Sequence, residues 1–186
     1  MKIASLALVS MAIGWCAAPV WAGEDQAREC AEAKIALGEA QLTMEEAIET
    51  ALTELPDGKA VEAEIDLAAD GAVFEVEIIS GGKHMEVTLD ALDGRVKDVL
   101  VEDEESEEEA EREEEMAESG AAGAKITLGQ AVAAAIEKVP DGKAFEAAAE
   151  RDGDKLVFEI ELLAGEKVTE VEVDAATGKV LKIERE

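Results

Sequence analysis

The chain has 186 residues, with 17 Lys and Arg against 46 Asp and Glu, giving a formal net charge of −29. A hydrophobic content of 48% excludes disorder over the full length, because core-forming residues are available. The charge excludes nucleic acid and anionic membrane surfaces as partners, since both are bound through Lys and Arg, and a single His excludes any His-rich metal site.

Residues 1–22 read as a secretory signal peptide. Lys2 supplies the positive start, Ile3–Ala18 the apolar stretch, and Val20-Trp21-Ala22 the small residues a signal peptidase inspects, so cleavage is expected between Ala22 and Gly23. The apolar run is too short to span a bilayer. Trp15 stands before Cys16 where lipoprotein processing needs a small residue. The expected product is a soluble periplasmic or secreted protein with no stable membrane insertion. Cleavage removes Lys2 and both Trp, taking the charge from −29 to −30. Phe74, Phe145 and Phe158 are then the remaining aromatics and Cys30 the remaining thiol. A lone Cys in an oxidising compartment is either a free thiol on a helix face or half of an intermolecular disulfide joining a homodimer.

Residues 23–40 form an N-terminal helical extension. The spacing predicts helix from about Asp25 to Leu55, interrupted near Gly38 or at Thr43. Aligning Thr43–Val99 with Thr127–Ile183, an offset of 84 residues, needs no gap. It yields roughly 23 identities in about 57 positions, the signature of an internal duplication. Pro56-Asp57-Gly58-Lys59-Ala60 recurs as Pro140-Asp141-Gly142-Lys143-Ala144, and Val73-Phe74-Glu75 as Val157-Phe158-Glu159.

Each copy opens with a capping box, Thr43-Met44-Glu45-Glu46 or Thr127-Leu128-Gly129-Gln130, followed by an apolar stripe at helical spacing. Pro-Asp-Gly ends each helix. The period then changes to two: Val61, Ala63 and Ile65 alternate with Glu62, Glu64 and Asp66, and Phe74, Val76 and Ile78 with Glu75 and Glu77. Gly81-Gly82 and Asp93-Gly94 punctuate the third and fourth strands. The predicted fold class is α+β, two tandem small domains, residues 41–101 and 125–186. Each would have one helix packed on a short antiparallel sheet of three to four strands. Residues 102–124, nearly all acidic and then Gly/Ala-rich, read as a linker.

These landmarks resemble the PepSY domain family. The Thr-capped helix, the Val-Phe-Glu strands and the closing Asp174-Ala175-Ala176-Thr177-Gly178-Lys179-Val180 carry the resemblance; the first copy has Asp93 at the Thr177 position. The resemblance implies a non-catalytic module of the kind found in secreted metallopeptidase propeptides and exported proteins, with a proposed role in restraining peptidases. It brings no catalytic residues. The sequence ends at Glu186, within the second copy, so no peptidase is expected to follow for the module to restrain in cis.

The remaining chemistry is sparse. His84 is the only candidate base, and pairing it with Ser80 lacks an orienting third group; it reads as a surface His on an acidic strand face. Glycosidase chemistry would want aromatic sugar platforms that this chain lacks, and no CxxCH or HExxH motif occurs. The acidic strand positions are more informative. Alternation places Glu62, Glu64, Asp66, Glu75, Glu77 and Glu86 opposite the helix, with Glu146, Glu150, Glu159, Glu161, Glu170 and Glu172 as counterparts. Like charges on adjacent strands destabilise a sheet, so three readings arise. The face is solvated, or it meets a basic protein surface, or it holds a divalent cation such as calcium. No EF-hand spacing is present, so Glu62, Glu64, Glu75, Glu77, Glu86, Glu159, Glu161, Glu170 and Glu172 are weak, distributed metal candidates. No cofactor is expected otherwise. The leading reading is a non-enzymatic exported module that binds another exported protein, which could be a peptidase or one with a basic surface. The alternative is an acidic calcium buffer or sensor. Assembly through sheet edges or Cys30 is a third.

Overall fold

Thr43 and Thr127 start the matched helices by the same reciprocal bonds. Thr43 Oγ1 accepts from the Glu46 N–H at 3.3 Å while the Thr43 N–H donates to Glu46 Oε2 at 2.9 Å. Thr127 and Gln130 repeat the pair at 3.2 and 3.0 Å. Each box satisfies N–H groups that a helix start leaves without intrahelical partners. The computed structural model describes residues 22–101, 124–153 and 155–185. The expected signal peptide before Ala22 and nearly all of the expected linker lie outside these residues.

In chain order the elements are α1 (Ala22–Glu39), α2 (Met44–Glu54), β1 (Lys59–Ala68), β2 (Gly71–Ser80), β3 (Lys83–Asp90) and β4 (Val96–Val101). Then come α3 (Leu128–Lys138), β5 (Lys143–Asp152), β6 (Lys155–Ala164), β7 (Lys167–Asp174) and β8 (Val180–Arg185). The long N-terminal helix is interrupted as expected, with α1 ending at Glu39 and α2 opening after the Thr43 cap.

The expectation of two separate small sheets is corrected. The eight strands form one antiparallel sheet in the order β4-β3-β2-β1-β5-β6-β7-β8. Within each copy β1 or β5 would be an edge with a row of unpaired N–H and C=O groups. The two edges satisfy each other: Glu62 pairs with Ala148, Ala63 with Ala147 and Glu64 with Glu146. Small side chains let the seam close, since Ala63 and Ala147 are fully buried. The copies are therefore related by an approximate two-fold axis through the seam, and α2 packs against α3, with Ile48 lying against Gly129. One apolar core cluster runs through both copies, holding Phe74, Val76 and Ile78 together with Phe158, Ile160 and Leu162.

Two further features bind the halves. α1 packs on β1 and β2 and reaches β5, where Lys143 Nζ donates to the Leu37 carbonyl at 3.2 Å. That ammonium sits at the carbonyl-rich end of the helix, where a cation is favoured. Lys34 Nζ also bonds Glu166 Oε1 at 3.2 Å. The closing turns do a different job. Gly94 and Gly178 adopt φ of 72° and 70°, a left-handed conformation that costs glycine little. The turns present the carbonyls of Ala91 and Ala175, which accept from the N–H groups of Gln41 and Leu42 and of Lys125 and Ile126. Each turn thus ties down the lead-in to its own helix. In the second copy the Thr177 hydroxyl donates to Asp174 at 2.7 Å, which holds the Asp174 carboxyl below its usual range. Asp93 cannot donate and instead accepts from the Arg95 N–H at 3.0 Å. The departure from the second-copy pattern leaves the turn intact.

Candidate functional site: the carboxylate face

Strand alternation puts the helices on one face of the sheet and the acidic residues on the other, and the register lines the acids up across strands. One row runs from Glu86 through Glu77 to Glu62, crosses the seam at Ala148, and continues through Glu159 and Glu172 to Lys182. The neighbouring row runs from Asp98 and Thr88 through Glu75 and Glu64, crosses the seam to Glu146, and continues through Glu161 and Glu170 to Glu184. All nine acidic candidates from the sequence fall in these two rows, together with Glu146. Asp66 lies beyond them as the cross-strand partner of Val73, and Glu150 as that of Val157.

The face differs from the solvated surface that alternation alone suggests. Glu75 and Glu159 are half-buried, and burial is the main reason both carboxyls are pushed up to about 7. Glu86 and Asp66 add repulsion at Glu75, and Glu150, Glu170, Glu161 and Glu172 add it at Glu159. Each lies two residues from a buried valine on the same face, Val73 at 1% exposure and Val157 at 2%. Desolvation favours the neutral acid and nearby carboxylates act in the same direction.

His84 is also corrected. It occupies the acidic side of β3, as alternation requires, but is only 5% exposed, and among the described residues both ring nitrogens lack a hydrogen-bond partner. It pairs across the strand with Ile79, itself buried, so this end of the face is covered rather than solvated. A Ser80–His84 pair finds no support, since among the described residues neither ring nitrogen has a hydrogen-bond partner.

A residue of this face that sequence reasoning missed is Lys182. Its ammonium lies 3.2 Å from Glu170 Oε1, 3.0 Å from Glu172 Oε1 and 3.2 Å from Glu184 Oε2. The hydrogen bond to Glu172, with those to Glu170 and Glu184, raises its own pKa. A signal was available in the duplication: at the offset of 84 residues Lys182 stands where the first copy has Asp98, a reversal of charge. Glu172 likewise replaces Thr88, whose hydroxyl bonds Glu86 Oε1 at 3.2 Å. Glu159, Glu170 and Glu172 offer carboxylate oxygens within 4.8 Å of one another, the kind of cluster that could hold a metal ion. Lys182 already bonds two of the three. Cys30 is a free thiol, half-buried, packed from α1 against the core.

The model of the PepSY family, the peptidase propeptide and YPEB domain, matches residues 41–100 and again 125–184. The chain belongs to the PepSY family. Its two PepSY copies are the two halves of the eight-stranded sheet. No curated protein matches the chain. Among solved structures it is similar to a candidate lipoprotein from Clostridium difficile 630, at 22% identity and a TM-score of 0.46, covering 75% of this chain and 90% of that one. It is also similar to the YpmB protein from Bacillus subtilis, at 22% identity and a TM-score of 0.29, covering 73% and 94%. Among the described residues, no helix is long and apolar enough to cross a membrane.

Proposed function

We propose that this PepSY protein is a non-catalytic, exported binding module that engages a basic surface of another exported protein through its carboxylate face. The observation that carries the reading is the pair of carboxylate rows, in which Glu75 and Glu159 are pushed up to about 7 by burial and by their acidic neighbours. A cationic partner relieves that repulsion and gains complementarity from it. Export rests on the signal pattern of Met1–Ala22. The family's link to peptidase propeptides supports a peptidase as the partner. A pull-down from the native exported fraction tests this. The full-length chain should retain a discrete partner that moderate salt releases, and a variant with Glu75, Glu77, Glu159 and Glu161 all changed to Gln should not retain it. Recovery of bait alone at both low and moderate salt refutes the reading, as does retention by both forms. Assaying any retained protein for peptide hydrolysis, with and without the chain, tests the peptidase reading.

A second reading, a calcium buffer or sensor, draws support from the Glu159, Glu170 and Glu172 cluster. Calcium would have to displace the Lys182 ammonium from Glu170 and Glu172. Removing that competitor in Lys182→Met should then raise calcium affinity. If calorimetry shows neither heat nor stabilisation at millimolar calcium in wild type or Lys182→Met, the buffer reading is excluded.

A further inference from the structure

We infer that the outer edge of β4 is a docking edge for an extended segment of a partner protein that alternates apolar and basic residues, added to the sheet as a ninth strand. This rests on the reading above that the partner is basic, and it specifies where and in what conformation it binds.

Among the described residues seven large apolar side chains are exposed, and five of them lie on the two outermost strands: Val99, Leu100 and Val101 on β4, Leu181 and Ile183 on β8. An outermost strand leaves N–H and C=O groups unpaired on one side, a template for another strand. Symmetry makes the two edges comparable, and they differ in charge. On β8 the chain supplies its own cation, because Lys182 bonds Glu170, Glu172 and Glu184. On β4 the matching residue is Asp98, paired across the strand with Thr88 beside Glu86. Among the described residues no ion pair reaches Glu86 or Asp98, and Lys97 is committed to Asp70 at 2.7 Å.

The two faces of the β4 edge therefore ask for different side chains. Val99 and Val101 pair with Val87 and Met85 on the helix side, while Asp98 and Leu100 pair with Thr88 and Glu86 on the acidic side. A strand laid beside β4 places alternate residues on the two sides. Apolar residues next to Val99 and Val101, with Lys or Arg beside Asp98 and Leu100 reaching across β4 toward Glu86, would supply from outside the kind of cation that Lys182 supplies within the second copy. A second copy of this chain is a poor occupant, since it brings a net charge of −29, or −30 after signal cleavage.

The test uses the isotope-labelled full chain and three short synthetic peptides: one alternating valine and lysine, the same peptide with prolines replacing valines, and one alternating valine and glutamate. The valine–lysine peptide should bind one site per chain and protect backbone amides of β4 from hydrogen exchange. The proline and glutamate peptides should not. Asp98→Lys should weaken binding about tenfold, through the like charge it sets against the peptide. Asp98→Asn, a milder change read alongside it, should weaken binding in the same direction. Lys182→Asp should open the β8 edge and raise the stoichiometry from one peptide to two. Equal binding of the proline peptide, or protection lying away from β4, overturns the edge assignment while leaving the basic-partner reading standing. Failure of the valine–lysine peptide to bind, with a partner still retained in the pull-down, also overturns the edge alone. A chain that sediments as a dimer with β4 already protected replaces the proposed occupant by a second copy and overturns the proposal.

Discussion

Replacing Glu75 and Glu159 by Gln should make the protein more stable at alkaline pH, the opposite of what loss of surface charge usually does. Each carboxyl is raised from 4.5 to about 7, chiefly by burial. The folded state thus holds these protons more tightly than the unfolded chain. The stability linked to them is fully present below 4.5 and is lost as pH rises through about 7. At full burial such a shift corresponds to about 3 kcal/mol per group. Both side chains are half-buried, and solvent screening reduces this to about 1 kcal/mol each. Thermal melts of wild type, both single variants and the double variant at about pH 5 and about pH 8 supply the assay. Wild type should melt lower at the higher pH, and the double variant should recover about 4–8 °C there while gaining little at the lower pH. A wild-type melting temperature that is flat across the interval, or Gln variants that lose stability at the higher pH, would refute the reasoning.

Other outcomes follow from single contacts. Lys182→Met leaves Glu170, Glu172 and Glu184 facing one another and should cost about 1 kcal/mol, shrinking in high salt, as denaturation at two ionic strengths would show. Gly38→Ala, at the end of α1 with open space around a new Cβ, should stabilise by about 0.5–1 kcal/mol. Gly58→Ala should destabilise in the same melts, because its Cβ would press on Ile78 Cγ2 and the Leu55 carbonyl. Cys30 packs against the core, so wild type and Cys30→Ser should run as the same monomer on a non-reducing gel. A dimer band in wild type alone would establish the intermolecular disulfide instead.

Much of this architecture was legible before any coordinates. Two capping boxes, the Pro-Asp-Gly stops and the change of period from helical to two report local preferences, which a short segment decides for itself. The duplication added register, since matched residues had to occupy matched places. Lys182 was hidden for a different reason. A single lysine among many acids has no local signature, and its value comes from three carboxylates delivered by β7 and β8 itself. His84 misled for a related reason: alternation predicts the face a side chain takes, but not whether that end of the face is covered.

Local sequence determined the helices, the strands, their alternation and the concentration of acid on one side of each copy, because those depend on neighbours a few residues away. Only the tertiary structure decided that the copies share one sheet. That depends on two edge strands, far apart in the chain, meeting through Ala63 and Ala147. The same event carried the carboxylate rows across the seam, brought Glu64 against Glu146, and moved the free edges outward to β4 and β8. Part of a charge that composition reports only as a sum of −29 thus became an ordered surface, bridged from within at one end by Lys182 and left acidic at the other by Asp98.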